Sequence, residues 1–113
     1  MFKVFFNRKR QFFTVYIEDV SPSTFHRQGG GRWGYFLETW ITPYRGEFGT
    51  IHIVSSRVRL DVVAHELLHL WLAWLKSRDI AVTRRNEERL VLLYDEITRH
   101  FWKEYRKVVL DDS

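Results

Sequence analysis

A chain of 113 residues has the length of one domain, and with 45% hydrophobic and 17% aromatic residues it can build a proper core. Eighteen Lys+Arg against fourteen Asp+Glu leave +4, spread over Arg8–Arg10, Arg57–Arg59, Arg84–Arg85 and the last helix; this reads as solvated surface, argues against a nucleic-acid footprint and leaves an acidic partner open. The absence of cysteine excludes a disulfide framework and a thiolate metal site, so any metal must sit on His and carboxylate side chains. The apolar run in Met1–Asn7 is too short for a signal-peptide core, and charges interrupt every later apolar stretch before spanning length. The expectation is a soluble, cytoplasmic protein without a membrane partner, forming one domain over residues 1–113.

In chain order, Phe2 to Phe6 and Gln11 to Ile17, rich in aromatic and β-branched residues and parted by Asn7-Arg8-Lys9-Arg10, predict a β-hairpin. Ser21-Pro22-Ser23 and Gln28-Gly29-Gly30-Gly31 punctuate a loop, since three glycines cannot hold one backbone conformation cheaply. The loop from His26 to Arg32 is placed to cover a cleft, as any long hairpin connection would be. Trp33 to Ile41 resumes as a strand, Pro43-Tyr44-Arg45-Gly46 turns, and Phe48 to Val54 returns. That gives about four strands, expected antiparallel.

The second half is helical. Ser55 or Ser56 is positioned to cap a helix from about Arg57 to Lys76, closed by Ser77-Arg78-Asp79. Thr83 or Asn86 caps a longer helix from about Arg84 to Val108, with Glu87 and Glu88 in its first turns, where the helix dipole favours acids. Strand hairpins followed by two helices make the fold class α+β.

The motif helix carries His65-Glu66-Leu67-Leu68-His69, an HExxH pattern. With five histidines in the chain, about 0.015 such matches are expected by chance. Residues four apart on a helix lie one turn above the other, so His65 and His69 present both imidazoles to one place and can hold two corners of a tetrahedral Zn²⁺ site. Glu66, about a quarter-turn round, is placed to take the proton from water acidified by the metal as that water attacks a peptide carbonyl. Because the helix is apolar nearly all round, it is expected to be buried, and its His–Glu–His triplet to need a partner that a metal satisfies. The competing interpretation makes them core histidines bonded to backbone, with Glu66 paired to an arginine.

A catalytic zinc requires a third protein ligand. Leu75 stands where a metzincin would carry histidine, which excludes that class, and His100 points away from the apolar face of its helix. Glu87 and Glu88 remain. On the second helix the apolar stripe runs through Leu90, Val91, Tyr94, Ile97, Phe101, Tyr105 and Val108; Glu87 falls about 30° from its centre and Glu88 about 130° away. Facing favours Glu87, although an acidic residue that merely stabilises its own helix start would look the same.

The order His-Glu-Leu-Leu-His, a short link, then Asn86-Glu87-Glu88 at the head of an amphipathic helix resembles the gluzincins, in which two motif histidines and a downstream helical glutamate hold zinc. Asn86-Glu87 matches the Asn-Glu often found at that position. Residues 70–86 separate His69 from Glu87, one fewer than in gluzincin aminopeptidases, whose spacing Glu88 matches. The plan as a whole is similar to minimal zincins such as ImmA-like peptidases of phages and mobile elements, over about residues 48 to 101. The resemblance implies a zinc metallopeptidase acting on a peptide or protein substrate, with His65, His69 and Glu87 as ligands and Glu66 as base. No substrate subdomain like that of the larger enzymes is expected after the metal site, which keeps open a zinc-fold regulatory protein that cleaves nothing. A DNA-associated protease like the SprT family suits the positive charge but lacks that family's third histidine.

Several other residues bear on this. Phe48–Val54 stands where zincins place a substrate-binding edge strand, or is an ordinary core strand. His52 alternates with Ile51 and Ile53 and should face outward, with an oxyanion-stabilising role as one option. Asp61 is a candidate partner for the second ring nitrogen of His65 but better suits the helix N-terminus. Tyr94 reads as core, Trp71 and Trp74 as packed, and Trp33 as the tryptophan placed to touch a ligand.

Overall fold

The computed structural model describes residues 1–21, 23–24, 33–39 and 45–111. The expected loop from His26 to Arg32, the end of the third strand at Ile41 and the turn residues Pro43 and Tyr44 lie outside them. Strands β1 (Phe2–Phe6), β2 (Gln11–Glu18), β3 (Gly34–Glu38) and β4 (Gly46–Val54) precede a 3₁₀ turn at Ser55–Arg57 and the helices α1 (Leu60–Ser77) and α2 (Glu87–Asp111). The fold is α+β, a four-stranded mixed sheet followed by two helices.

β1 and β2 form the expected hairpin, with Val4 opposite Phe13. Its turn holds Asn7, Arg8 and Lys9 at φ of 53°, 58° and 64°, a left-handed run closed by the Arg10 N–H donating to the Asn7 carbonyl at 3.2 Å. The antiparallel expectation fails at the centre of the sheet. The strand order is β1-β2-β4-β3, and β2 pairs with β4 in parallel, Val15 beside Ile51 and Ile17 beside Ile53. β4 is thus inserted between β2 and its own hairpin partner β3, where its apolar residues Phe48, Ile51 and Ile53 are buried. Of the two readings of Phe48–Val54, the core strand is the one found: β4 is central, and among the described strands β3 and β1 are the edges.

Alternation sorts the side chains onto two faces. Phe2, Val4, Phe6, Phe13, Val15, Ile51 and Ile53 point to the core, where α1 lies across β3 and β4 and α2 across β1. Burial of each such side chain stabilises by about 1.5–3 kcal/mol. The other face carries Lys3, Phe5, Phe12, Tyr16, Tyr35, Leu37 and His52, and no described helix covers it.

α1 starts later than expected. Ser55 and Ser56 sit in the 3₁₀ turn, and the residue before the helix, Arg59, is extended and offers no side-chain cap. Arg59 instead grips Asp61 in the first turn, with Nε and an Nη donating to the carboxylate at 3.2 and 2.9 Å. At the other end Ile80 N–H donates to the Leu75 carbonyl and Asp79 N–H to that of Lys76, with Asp79 at φ 53°. This is a Schellman closure with aspartate where glycine is usual. Asn86 organises the start of α2, accepting from the Thr83 N–H at 2.8 Å and donating to the Ala81 carbonyl at 2.9 Å. Among the described residues no helix is long and apolar enough to cross a membrane.

Candidate metal centre

The helical spacing of HExxH brings its three residues together. His65 and His69 lie one turn apart on α1 with their Nε2 atoms 3.1 Å apart. Neighbouring corners of a tetrahedron built on Zn–N bonds of ~2.0–2.1 Å are about 3.3 Å apart, so the two imidazoles suit one shared cation. Glu66 Oε1 stands 3.8 Å from His65 Nε2. The ligand atoms of all three residues fall within 4.8 Å of one another, a group able to hold a metal ion.

Burial divides the triplet in a way the sequence did not. The helix is not buried all round: Ala64, His65, Leu68, His69 and Leu72 are exposed, because α1 is packed against the sheet on one side alone. Glu66 is 4% exposed and belongs to the inward side with Val62, Val63, Leu67 and Leu70. Its Oε2 is buried without a hydrogen-bond partner. Burial raises its pKa above the usual carboxylate value, against the opposing pull of His65 and His69. Among the described residues no arginine pairs with Glu66, and neither histidine is buried in the core.

Gly34 makes room for that carboxylate. It is the first residue of β3 on the helix-facing side, and a Cβ there would lie 3.1 Å from Glu66 Cγ and 3.0 Å from the His52 carbonyl oxygen. Sequence reading passed over this residue, although a lone glycine inside a strand pattern signals close approach of backbone or ligand. Around it opens a cleft of about 720 Å³ between β3 and α1, lined by Trp33, Gly34, Tyr35, Phe36, Asp61, Val62, His65, Glu66, His69 and Ala73. Trp33 is therefore a cleft residue, as its position beside the glycines suggested.

The other candidates disperse. Glu87 is exposed at the first residue of α2, as is Glu88, and neither belongs to the His65–Glu66–His69 group. The core-facing placement expected of Glu87 is corrected: the buried stripe of α2 begins only at Leu90, one turn further on. His52 does face outward, on the sheet face opposite the helices. It is stacked between Tyr16 and Tyr35 at 4.9 and 4.5 Å, with Nδ1 2.9 Å from Glu18 Oε1 and Nε2 3.1 Å from Thr50 Oγ1. Those contacts tie β2, β4 and β3 together and leave it outside the cleft lining. Asp61 is engaged by Arg59, which together with backbone hydrogen bonds holds its carboxyl below the ordinary range; its role at the helix start is the one expected. Tyr94 is half-buried, its ring 6.1 Å from that of Trp71 and its hydroxyl donating to the Ala64 carbonyl at 3.4 Å. Trp71 and Trp74 stack at 5.1 Å, and His100 Nδ1 lies 3.2 Å from the Phe5 carbonyl oxygen.

No protein-family model matches the chain, and no curated protein or solved structure matches it significantly. The chemistry of the cleft therefore rests on its own residues: two exposed imidazoles converging on one point, with a buried carboxylate beside them.

Proposed function

We propose that the cleft is the active site of a zinc-dependent peptidase of the minimal zincin type. The observation that carries this reading is the unpaired, buried Oε2 of Glu66 beside two imidazoles whose Nε2 atoms are 3.1 Å apart. Burying a carboxylate without a partner is costly in a merely structural role, and a cation held by His65 and His69 offsets that cost. His65 and His69 would hold the metal, and Glu87, exposed at the head of α2, is the third donor we assign, with Glu88 next to it in the alternative register. When bound, the zinc supplies Lewis acidity, polarising a carbonyl and making a water molecule acidic near neutral pH.

The chain's own groups do the remainder. Glu66 receives a proton from the attacking water on its carboxylate, and burial, by raising its proton affinity, suits it to hold that proton and return it to the leaving amine. Gly34 keeps the carboxylate in place by leaving its volume free. β3 is a sheet edge along the cleft, so an extended peptide would pair with it as a further strand, its scissile carbonyl carried past His65 and His69.

A second reading has an observation of its own. The carboxylate of Glu66 is close enough to both histidines to complete a three-residue ligand set by itself, which leaves no base and suits a regulatory zinc fold that cleaves nothing. One experiment separates them. Zinc content by mass spectrometry and peptide hydrolysis are measured on wild type, His65→Ala, Glu87→Ala and Glu66→Gln. The peptidase reading expects one zinc per chain, lost in His65→Ala, reduced in Glu87→Ala and kept in Glu66→Gln, with hydrolysis abolished in the last. Zinc lost with Glu66→Gln would favour the regulatory reading, and hydrolysis retained in that variant would overturn Glu66 as base.

A further inference from the structure

Positive charge gathers around the cleft residue Trp33 at the start of β3. The Trp33 side chain lines the cleft, and its backbone carbonyl accepts from the Val54 N–H at 3.0 Å, which pins it beside the end of β4. Two guanidinium groups lie over its ring, Arg57 at 4.8 Å and Arg59 at 5.5 Å from the centroid. Arg59 is neutralised, because both oxygens of Asp61 accept from it. Arg57 is not: among the described residues no carboxylate pairs with it, and its guanidinium lies against the tryptophan ring.

A guanidinium held over an indole ring can still turn N–H groups to a planar acceptor, which is how arginine recognises carboxylates. The other carboxylates in the cleft are committed, Asp61 to Arg59 and Glu66 to its buried place beside the histidines. We infer that Arg57, seated on Trp33, is a specificity residue that selects substrates bearing a carboxylate on the β3-start side of the scissile bond. The carboxylate is either an Asp or Glu side chain or a free chain terminus. This inference rests on the peptidase reading for its substrate, though not for the arginine's preference among ligands.

The test uses two pools of synthetic peptides matched in length, one with Asp and Glu and free C-termini, the other with Asn and Gln and amidated C-termini. Mixed pools with acid only in side chains or only at the terminus tell the two sources apart. Wild type is expected to hydrolyse the acidic pool about tenfold faster in kcat/KM, the effect of one charge-assisted contact at a partly exposed site. In Arg57→Gln the acid-to-amide ratio should fall to about one, and Arg57→Lys should restore part of it. A wild-type ratio near one overturns the proposal, as does an Arg57→Gln variant that slows both pools equally and keeps the ratio. If the zinc-loaded protein cleaves neither pool, the peptidase reading fails separately, and binding of the same pools followed by tryptophan fluorescence decides. Acid-selective, salt-sensitive binding lost in Arg57→Gln supports the assignment, and unselective or absent binding refutes it.

Discussion

Replacing Glu66 with glutamine should make the metal-free protein more stable. The side chain is 4% exposed, and one of its oxygens has no hydrogen-bond partner. An unpaired buried polar group costs about 1–3 kcal/mol, and more when charged. Glutamine fills the same volume against Gly34 and removes the charge but keeps an amide to be satisfied, so the net gain should be about 1–2 kcal/mol. In a domain of this size that raises Tm by roughly 4–8 °C. The gain should depend on pH with a defined sign. Because burial raises the folded-state pKa of Glu66 above its ordinary value of 4.5, the folded state binds the proton more readily than the unfolded one. Wild-type stability is therefore lost as pH rises through the raised pKa and recovered as pH falls toward the ordinary carboxylate range. Calorimetry on chelator-treated protein at about pH 8 and about pH 5 should show the Glu66→Gln advantage shrinking at the lower pH. An advantage of the same size at both values, or a variant less stable than wild type, would refute the view that Glu66 is an unsatisfied buried carboxylate.

Three further substitutions test the frame around the site. Gly34→Ala brings a Cβ to 3.0 Å from the His52 carbonyl oxygen and 3.1 Å from Glu66 Cγ; thermal melts should show a loss of about 1–3 kcal/mol, with hydrolysis falling further than zinc binding. Asp79→Gly relieves a left-handed residue at the end of α1 and should stabilise by about 0.5–1 kcal/mol in urea titrations, whereas Asp79→Ala should not. Gln11 is fully buried, with Oε1 accepting from Trp74 Nε1 at 3.0 Å and Arg78 Nη2 at 3.3 Å. Gln11→Met leaves those donors without their acceptor and should cost about 1–3 kcal/mol, read as a shift in the urea midpoint at unchanged slope.

The elements that could be read from sequence are those whose signal is local. Alternation in Phe2–Phe6 and the polar residues after it specify a hairpin within a dozen residues, and the Ser77-Arg78-Asp79 stop sits where α1 does end. Pairing between β2 and β4 has no local signature, since a chain that leaves β2, makes β3 and returns as β4 can place either strand next to β2. The choice is made by burial across the whole sheet. Phe48, Ile51 and Ile53 need cover from both neighbours, whereas β3, with the exposed Leu37 and its glycine start, tolerates an edge.

The same distinction between local and global runs through the site. His65, Glu66 and His69 were legible because four-residue spacing on one helix needs nothing else to bring the imidazoles together. Which of the three is buried depends on the angle at which α1 meets the sheet, and that angle is set by Leu67, Leu70, Trp71 and Trp74 packing on the far side of the helix turn. Glu66 goes inward with them, and the histidines are left at the surface as a consequence. Gly34 then becomes necessary, because a β3 residue with a side chain would contest the volume the carboxylate occupies. Glu87 shows the opposite limit: a helical-wheel angle orients a residue about its own axis but does not say where along that axis packing begins. Packing on α2 begins at Leu90, so a glutamate aligned with the stripe remains in solvent. On the proposed reading, a third ligand from this helix would be won by the metal rather than preformed by the core. Zinc affinity should accordingly fall less in Glu87→Ala than in His65→Ala, and equal losses in competition titrations against a chelator would show that Glu87 is as fixed a ligand as the histidines.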